Sequence, residues 1–152
     1  MALLLGGFVE AANLGLMGNM LVIESPKGRE YVVMVVGESE ALSIGVALYG
    51  RKFWRPLSHD LMAHIVRLSG LEPLKVEIYD VKDGAYLARI YLQKRSFLWF
   101  RQKVVLDSRP SDAIAFALRV GIPIYVAEHL FKSPEELLQP DTLEQIPGGI
   151  EG

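Results

Sequence analysis

Lys82-Asp83-Gly84 lies between two apolar runs, Val76 to Val81 and Ala85 to Leu92. An Asp-Gly pair flanked in this way is a strong short-range hairpin signal, because both residues tolerate the positive φ that a tight hairpin turn demands. The middle of the chain is therefore committed to an antiparallel strand pair, which excludes all-helical folds. A second hairpin is read from Leu16 to Glu24 and Glu30 to Val36, joined by Ser25-Pro26-Lys27-Gly28-Arg29. Helical segments alternate with these pairs. Ser39 opens Glu40 to Leu48, which ends at Gly50. Ser58 caps a second helix with Leu61, Ile65 and Leu68 at helical spacing and Gly70 as its stop, and that apolar stripe is expected to face a sheet. A strand then runs toward Leu106, Ser111 to Val120 forms a third helix closed by Gly121, and Ile122 to Ala127 is a short strand. Ser133-Pro134-Glu135-Glu136 and Asp141-Thr142-Leu143-Glu144 suggest two short capped helices before a glycine-rich end.

Together these elements predict an α+β domain, a mostly antiparallel sheet with helices packed on one side. Val32-Val33-Met34 leading into Ser39-Glu40-Ala41-Leu42 matches Val104-Val105-Leu106 leading into Ser111-Asp112-Ala113-Ile114 at a constant offset. The match suggests an internal strand-helix duplication. The 152 residues suit one domain, with residues 1–132 as its body and 133–152 as a short helical C-terminal tail.

Hydrophobic residues make up 51% of the chain, yet no apolar run approaches the roughly 18 residues that span a bilayer. The apolar excess is expected to serve a homo-oligomeric interface, as a dimer or small ring. The N-terminal apolar run lacks a basic leader, so a cytoplasmic location without membrane attachment is expected. Cysteine is absent, which removes disulfides, thiolate zinc sites and cysteine nucleophiles. A net charge of −2 argues against a surface built throughout to grip nucleic acid but leaves room for a local basic patch.

Three polar clusters carry the candidate chemistry. In Asp107-Ser108-Arg109-Pro110-Ser111-Asp112, a strand end meets the first turn of a helix, where unpaired N–H groups favour a carboxylate. Arg109 there can bridge carboxylates or present its guanidinium fork to a phosphate. The stretch is read either as a capped, salt-bridged helix start or as a reaction centre. In Arg55-Pro56-Leu57-Ser58-His59-Asp60-Leu61, His59 sits at a helix start and is either a base or a buried histidine bonded to backbone. His59 and His64 are about 140° apart around a helix and cannot chelate one ion together. Asp60, His64 and Arg67 share a face, read as ion pairing or, less simply, metal binding. If residues 93–103 are extended, Arg95, Phe97, Trp99, Arg101 and Lys103 project from one side, combining cations for phosphates with rings for bases. The same pattern also fits an interface with arginines at its rim.

Gly37-x-x-Glu40-Ala41, Arg55-Pro56-Leu57-Ser58-His59-Asp60-Leu61, Asp107 to Ala115 and Pro123-Ile124 stand in the order and spacing of the bifunctional nuclease family, and the chain resembles that family over roughly residues 14 to 130. The resemblance implies a single α+β domain, oligomeric association and, for some members, cleavage of both DNA and RNA. Ser58 replaces a usual threonine and Ser108 a usual alanine. Residues 131–152 are too short for the UvrB/UvrC-like helical segment that some relatives carry.

The resemblance brings no agreed catalytic set, so roles are assigned from residue chemistry. Asp107 and Asp112, with Glu40 or Asp60, are expected to hold Mg²⁺ or Mn²⁺. Arg109 would stabilise phosphate charge and His59 would act as base or proton shuttle. The competing expectation is a non-catalytic oligomeric module that binds a small anion, nucleic acid or a protein partner.

Overall fold

The computed structural model describes residues 7–95 and 101–139. The central hairpin forms as its turn dictates. Strand β5 (Leu71–Lys82) and β6 (Ala85–Arg95) pair antiparallel through a two-residue Asp83-Gly84 turn, with φ of 51° and 76°. A positive φ at both central positions matches the right-handed twist of the strands it joins. On the β6 side the ladder continues to β7 (Arg101–Ser108), and on the β5 side to β8 (Ile124–Ala127), which runs parallel to β5 and antiparallel to β1 (Phe8–Glu10). The larger sheet therefore has the order β1-β8-β5-β6-β7.

A second sheet contains β2 (Asn13–Met17), β3 (Met20–Glu24) and β4 (Tyr31–Val35), all antiparallel. The run expected as one strand from Leu16 to Glu24 is divided here by a turn at Gly18-Asn19, with Met17 facing Met20 across it. Gly18 has φ of 60°, which a glycine at the first central position of a tight hairpin adopts without penalty. Apolar residues on both sides of the turn hid it from the sequence pattern.

Helices α1 (Glu38–Leu48), α2 (Ser58–Ser69) and α3 (Pro110–Val120) fill the space beside the sheets. α3 packs on β5 and β6, touches α1 and α2 as well, and is buried from Ala113 to Ala117. Being covered on several sides explains its alanine-rich sequence, since small side chains let neighbours approach closely. α1 reaches the smaller sheet at β2. The expected α+β architecture thus holds, with β5·β8 the one parallel pairing among the described strands. Both β4 and β7 run directly into a helix, the two strand-helix units that the sequence pairs.

Two helix details differ from expectation. Ser58 is the first residue of α2 rather than its cap, and the Asp60 carboxylate accepts the Leu57 N–H at 2.8 Å instead. More consequentially, the Leu61, Ile65 and Leu68 stripe does not face a sheet. These residues are exposed, Leu68 at 75%, while His59 and Ala63 form the buried side. The two sets are about 200° apart around the helix, so burying one leaves the other outside.

A short helix, α4 (Pro134–Leu137), follows β8, and its cap is the expected one: Ser133 Oγ accepts the Glu136 N–H at 3.3 Å. Phe97, Trp99 and the segment from Asp141 lie outside the described residues.

Candidate active site

The first turns of three helices meet at one place. Glu40 comes from α1, His59 from α2 and Asp112 from α3, while Arg109 is the residue just before α3. Carboxylates suit first turns because the helix N-terminus leaves N–H groups unpaired and carries partial positive charge. His59 Nε2 lies 2.8 Å from Asp112 Oδ1. Arg109 Nε donates to Asp112 Oδ2 at 2.8 Å, and its Nη2 donates to Glu40 Oε1 at 3.0 Å and to Asp112 Oδ1 at 3.2 Å. Arg109 Nη1 donates to no protein group among the described residues, and the side chain is 64% exposed. Two carboxylates thus fix the fork while one edge stays free.

Gly37 makes this arrangement possible. A β-carbon there would collide with the Glu40 carboxylate, so the glycine lets the start of α1 close over that side chain. A side chain at position 37 would require the Glu40 carboxylate to move from the place where Arg109 holds it.

A fifth member of this relay of side chains was missed in the sequence. Ser43 Oγ lies 2.6 Å from His59 Nδ1, with Ser43 only 3% exposed. An ionised Asp112 only accepts, so His59 Nε2–H donates to it. When the ring is neutral, Nδ1 then accepts the Ser43 hydroxyl. Ser43 lies three residues after Glu40 in an aliphatic run, and a lone hydroxyl at that offset was the available signal.

Arg119, also missed, locks the cluster from below. It donates from Nε to Asp60 Oδ1 at 2.7 Å, from Nη1 to Ala115 O at 2.9 Å and from Nη2 to Ser43 O at 3.1 Å. Its side chain is buried, and its position in the last turn of α3 lets it tie that helix to both α1 and α2. Asp60 therefore points to Arg119 rather than joining His64 in the expected trio. His64 is exposed, and Arg67 Nη2 donates to Arg119 O at 3.3 Å.

Burial raises the proton affinity of Asp112, yet hydrogen bonds from Arg109 and His59 outweigh it and hold the carboxyl below its ordinary range. Asp60 behaves alike, with burial opposed by the Leu57 N–H and Arg119 and the net effect downward. Glu40 is lowered first by its own backbone N–H and then by Arg109.

Asp107 stands apart. It is exposed on β7 opposite Arg89, whereas its neighbour Ser108 faces the buried Ala88. Successive strand residues point to opposite faces, so Asp107 lies on the sheet face away from the core and from Asp112. Arg101 and Lys103 share that outer face at every second position, and both are exposed. Arg95 pairs with Arg101 in the same ladder. The expected grouping of Asp107, Asp112, Glu40 and Asp60 around one ion does not form, and among the described residues no three His, Asp or Glu side chains are placed to hold a metal. Glu40 and Asp112 alone converge. Carboxylates in pairs are donors that Mg²⁺ uses together with substrate phosphates and water, but here the Arg109 guanidinium bridges the two.

An open cleft of about 430 Å³ exposes the cluster, lined by Glu40, Ser43, Ser58, His59, Arg109 and Asp112 among others. An α+β scaffold that gathers two acids, a histidine and a half-free arginine in one cleft has the parts for acid–base chemistry on an anionic substrate. The bifunctional nuclease domain matches residues 21–137, and the chain belongs to that family. Two uncharacterized proteins of Mycobacterium tuberculosis are each 32% identical to it over 126 residues, covering 83% of this chain and 71% of their own length. Bifunctional nuclease 1 of Oryza sativa subsp. indica is 25% identical over 126 residues, covering 82% of this chain and 38% of the rice protein.

Proposed function

We propose that the chain hydrolyses phosphodiester bonds of DNA or RNA in the cleft between the three helix starts. Family membership supports the nuclease class, and the convergence of His59, Arg109 and Asp112 on one open cleft carries the choice of site. Arg109, held by two carboxylates, offers Nη1 to a phosphate oxygen without having to order itself on binding. His59 moves the proton, with Asp112 fixing the ring through Nε2 and the Ser43 hydroxyl bonded at Nδ1. Asp107, on the far face of the sheet, is left out.

Charge balance in the cleft supports a divalent cation. Glu40 and Asp112 together outweigh Arg109 by one negative charge when His59 is neutral, which disfavours an incoming phosphate. Mg²⁺ or Mn²⁺ held by Glu40 and Asp112 would reverse that sign and stabilise the charge that develops on the phosphoryl oxygens. Asp60 is committed to Arg119 and takes no part.

The experiment is cleavage of labelled single-stranded DNA, duplex DNA and RNA with Mg²⁺, Mn²⁺ or EDTA, comparing the parent with Asp112→Asn and Asp107→Asn purified identically. Metal-dependent cleavage that survives in Asp107→Asn and disappears in Asp112→Asn is expected. Equal activity in all three preparations sinks the assignment of this cleft.

A second reading is favoured by the exposed α2 stripe of Leu61, Ile65 and Leu68. Apolar side chains aligned on one helix face mark an association surface, and we propose that the chain forms a homo-oligomer through it. In the absence of cleavage, that surface and the Arg109 anion site describe a binding module.

A further inference from the structure

Arg109 is a wall of two cavities. One is the cleft just described. The other, about 220 Å³, lies between the end of β4, the start of β6 and the start of α3. It is lined by Met34, Val35, Val36, Gly37, Ala85, Tyr86, Arg109, Pro110 and Ser111. Three properties of this second cavity restrict what it can take.

Its size falls short of the roughly 300–1,000 Å³ typical of pockets that enclose a whole small molecule, so it suits a single ring with the rest of the ligand outside. Its walls are aliphatic and aromatic at one end, as the faces of a flat heterocycle require. Its other end, at Arg109 and Ser111, is polar. Ser111 is only 8% exposed, and its hydroxyl has no hydrogen-bond partner among the described residues, although it is not sealed from the cavity. A hydroxyl with no protein partner that stays open to the cavity is available to a ligand in place of water. Beside it, the N–H groups of Ser111 and Asp112 precede the first backbone bond of α3, Ala113 N–H to Arg109 O. Arg109 lines this end too, and once a divalent cation offsets Glu40 and Asp112 the end suits an anion.

We infer that the Tyr86 pocket is the subsite for one unpaired nucleobase of a single-stranded substrate, whose adjoining phosphate rests on Arg109 and the start of α3. The inference rests on the nuclease reading and deepens it. Because Arg109 is shared, a phosphate seated there stands between the base pocket and the His59–Asp112 cleft, so the base position selects which phosphodiester meets the acid–base pair. A pocket that admits one ring requires the base to be out of a duplex, and single strands become the preferred class.

The test is calorimetric titration of adenosine 5′-monophosphate, adenosine and inorganic phosphate, in magnesium buffer, into the parent, Ala85→Phe and Ser111→Ala. Ala85 is exposed at the first position of β6, so phenylalanine there fills the pocket from outside without entering the core. In the parent, the nucleotide is expected to bind roughly tenfold more tightly than phosphate, in line with one stacked base. Ala85→Phe should bring the nucleotide down to the phosphate level, and Ser111→Ala should weaken nucleotide and phosphate together. Equal affinity for nucleotide and phosphate in the parent, or a nucleotide affinity untouched by Ala85→Phe, overturns the subsite. Cleavage assays on the same preparations separate the two claims. Nucleotide binding lost in Ala85→Phe with no cleavage by any preparation keeps the subsite and removes the nuclease reading, whereas single-strand cleavage unchanged by Ala85→Phe keeps the nuclease reading and removes the subsite.

Discussion

His59 Nε2 and Asp112 Oδ1 lie 2.8 Å apart across a sequence separation of 53 residues. The contact exists because α2 and α3 begin beside each other, each placing a polar residue in its first turn. Replacing Asp112 by asparagine keeps the side-chain shape but removes the charge that orients both His59 and Arg109. Cleavage by Asp112→Asn is expected to fall by about 10²–10⁴-fold, the usual range for loss of positioned acid–base catalysis. Steady-state rates beside unchanged far-ultraviolet circular dichroism would show this, and a fall of less than threefold would be roughly within 1 kcal/mol and count against the relay.

Arg119 is a different kind of residue, buried and satisfied by three protein acceptors. Arg119→Leu leaves the Asp60 carboxylate without its partner and removes two bonds to backbone carbonyls. A loss of about 2–3 kcal/mol of unfolding free energy is expected, since hydrogen bonds to charged groups contribute roughly 1.5–3 kcal/mol and Asp60 retains the Leu57 N–H and some access to water. Urea denaturation gives the value directly. A midpoint unmoved by the substitution would mean that α1, α2 and α3 are held by packing alone.

Acid should weaken the same junction. Glu40, Asp60 and Asp112 all bind their protons less readily in the folded chain than in the unfolded one. Their stabilising contribution is therefore complete above the ordinary carboxylate range, near pH 4, and is lost as pH falls below it toward the lowered values. Asp60→Asn is expected to be less stable than the parent at pH 7, with the gap narrowing as pH drops from about 4.5 toward 3. Thermal unfolding of both proteins across that window checks the sign. A gap that widens in acid would contradict it.

Part of this junction was legible in the chain. Glu40, His59, Arg109 and Asp112 each stand where a polar residue opens a helix, a local pattern that needs no knowledge of tertiary contacts. Ser43 and Arg119 stand inside or at the far end of helices, and their importance appears only when the helices are packed. Asp107 was grouped with Asp112 by sequence proximity, but a strand alternates its faces and one residue of parity sends Asp107 across the sheet. The α2 stripe failed for another reason: helical spacing reports that an apolar face exists, not whether this chain or a second copy covers it.

That stripe supplies its own prediction. Joint substitution Leu61→Glu and Ile65→Glu changes only exposed positions, so the fold should persist while self-association is lost. Light scattering coupled to size exclusion should report an oligomer for the parent and a monomer for the variant. A parent that is monomeric at the highest concentration attainable would remove the interface.

The order of strands in the larger sheet bears on how the molecule is made. β8, near the end of the described chain, is inserted between β1 and β5, and β1 has β8 as its strand partner. While the polypeptide emerges from the ribosome, the first strand has nothing to pair with and the apolar flank of β5 stays bare until residue 127 has been synthesised. Pairing between distant segments is slow, and unpaired edges invite wrong contacts. The nascent chain is thus most exposed to aggregation in the interval between completion of the β5–β6 hairpin and arrival of β8, a vulnerability set by topology and independent of the stability of the finished protein.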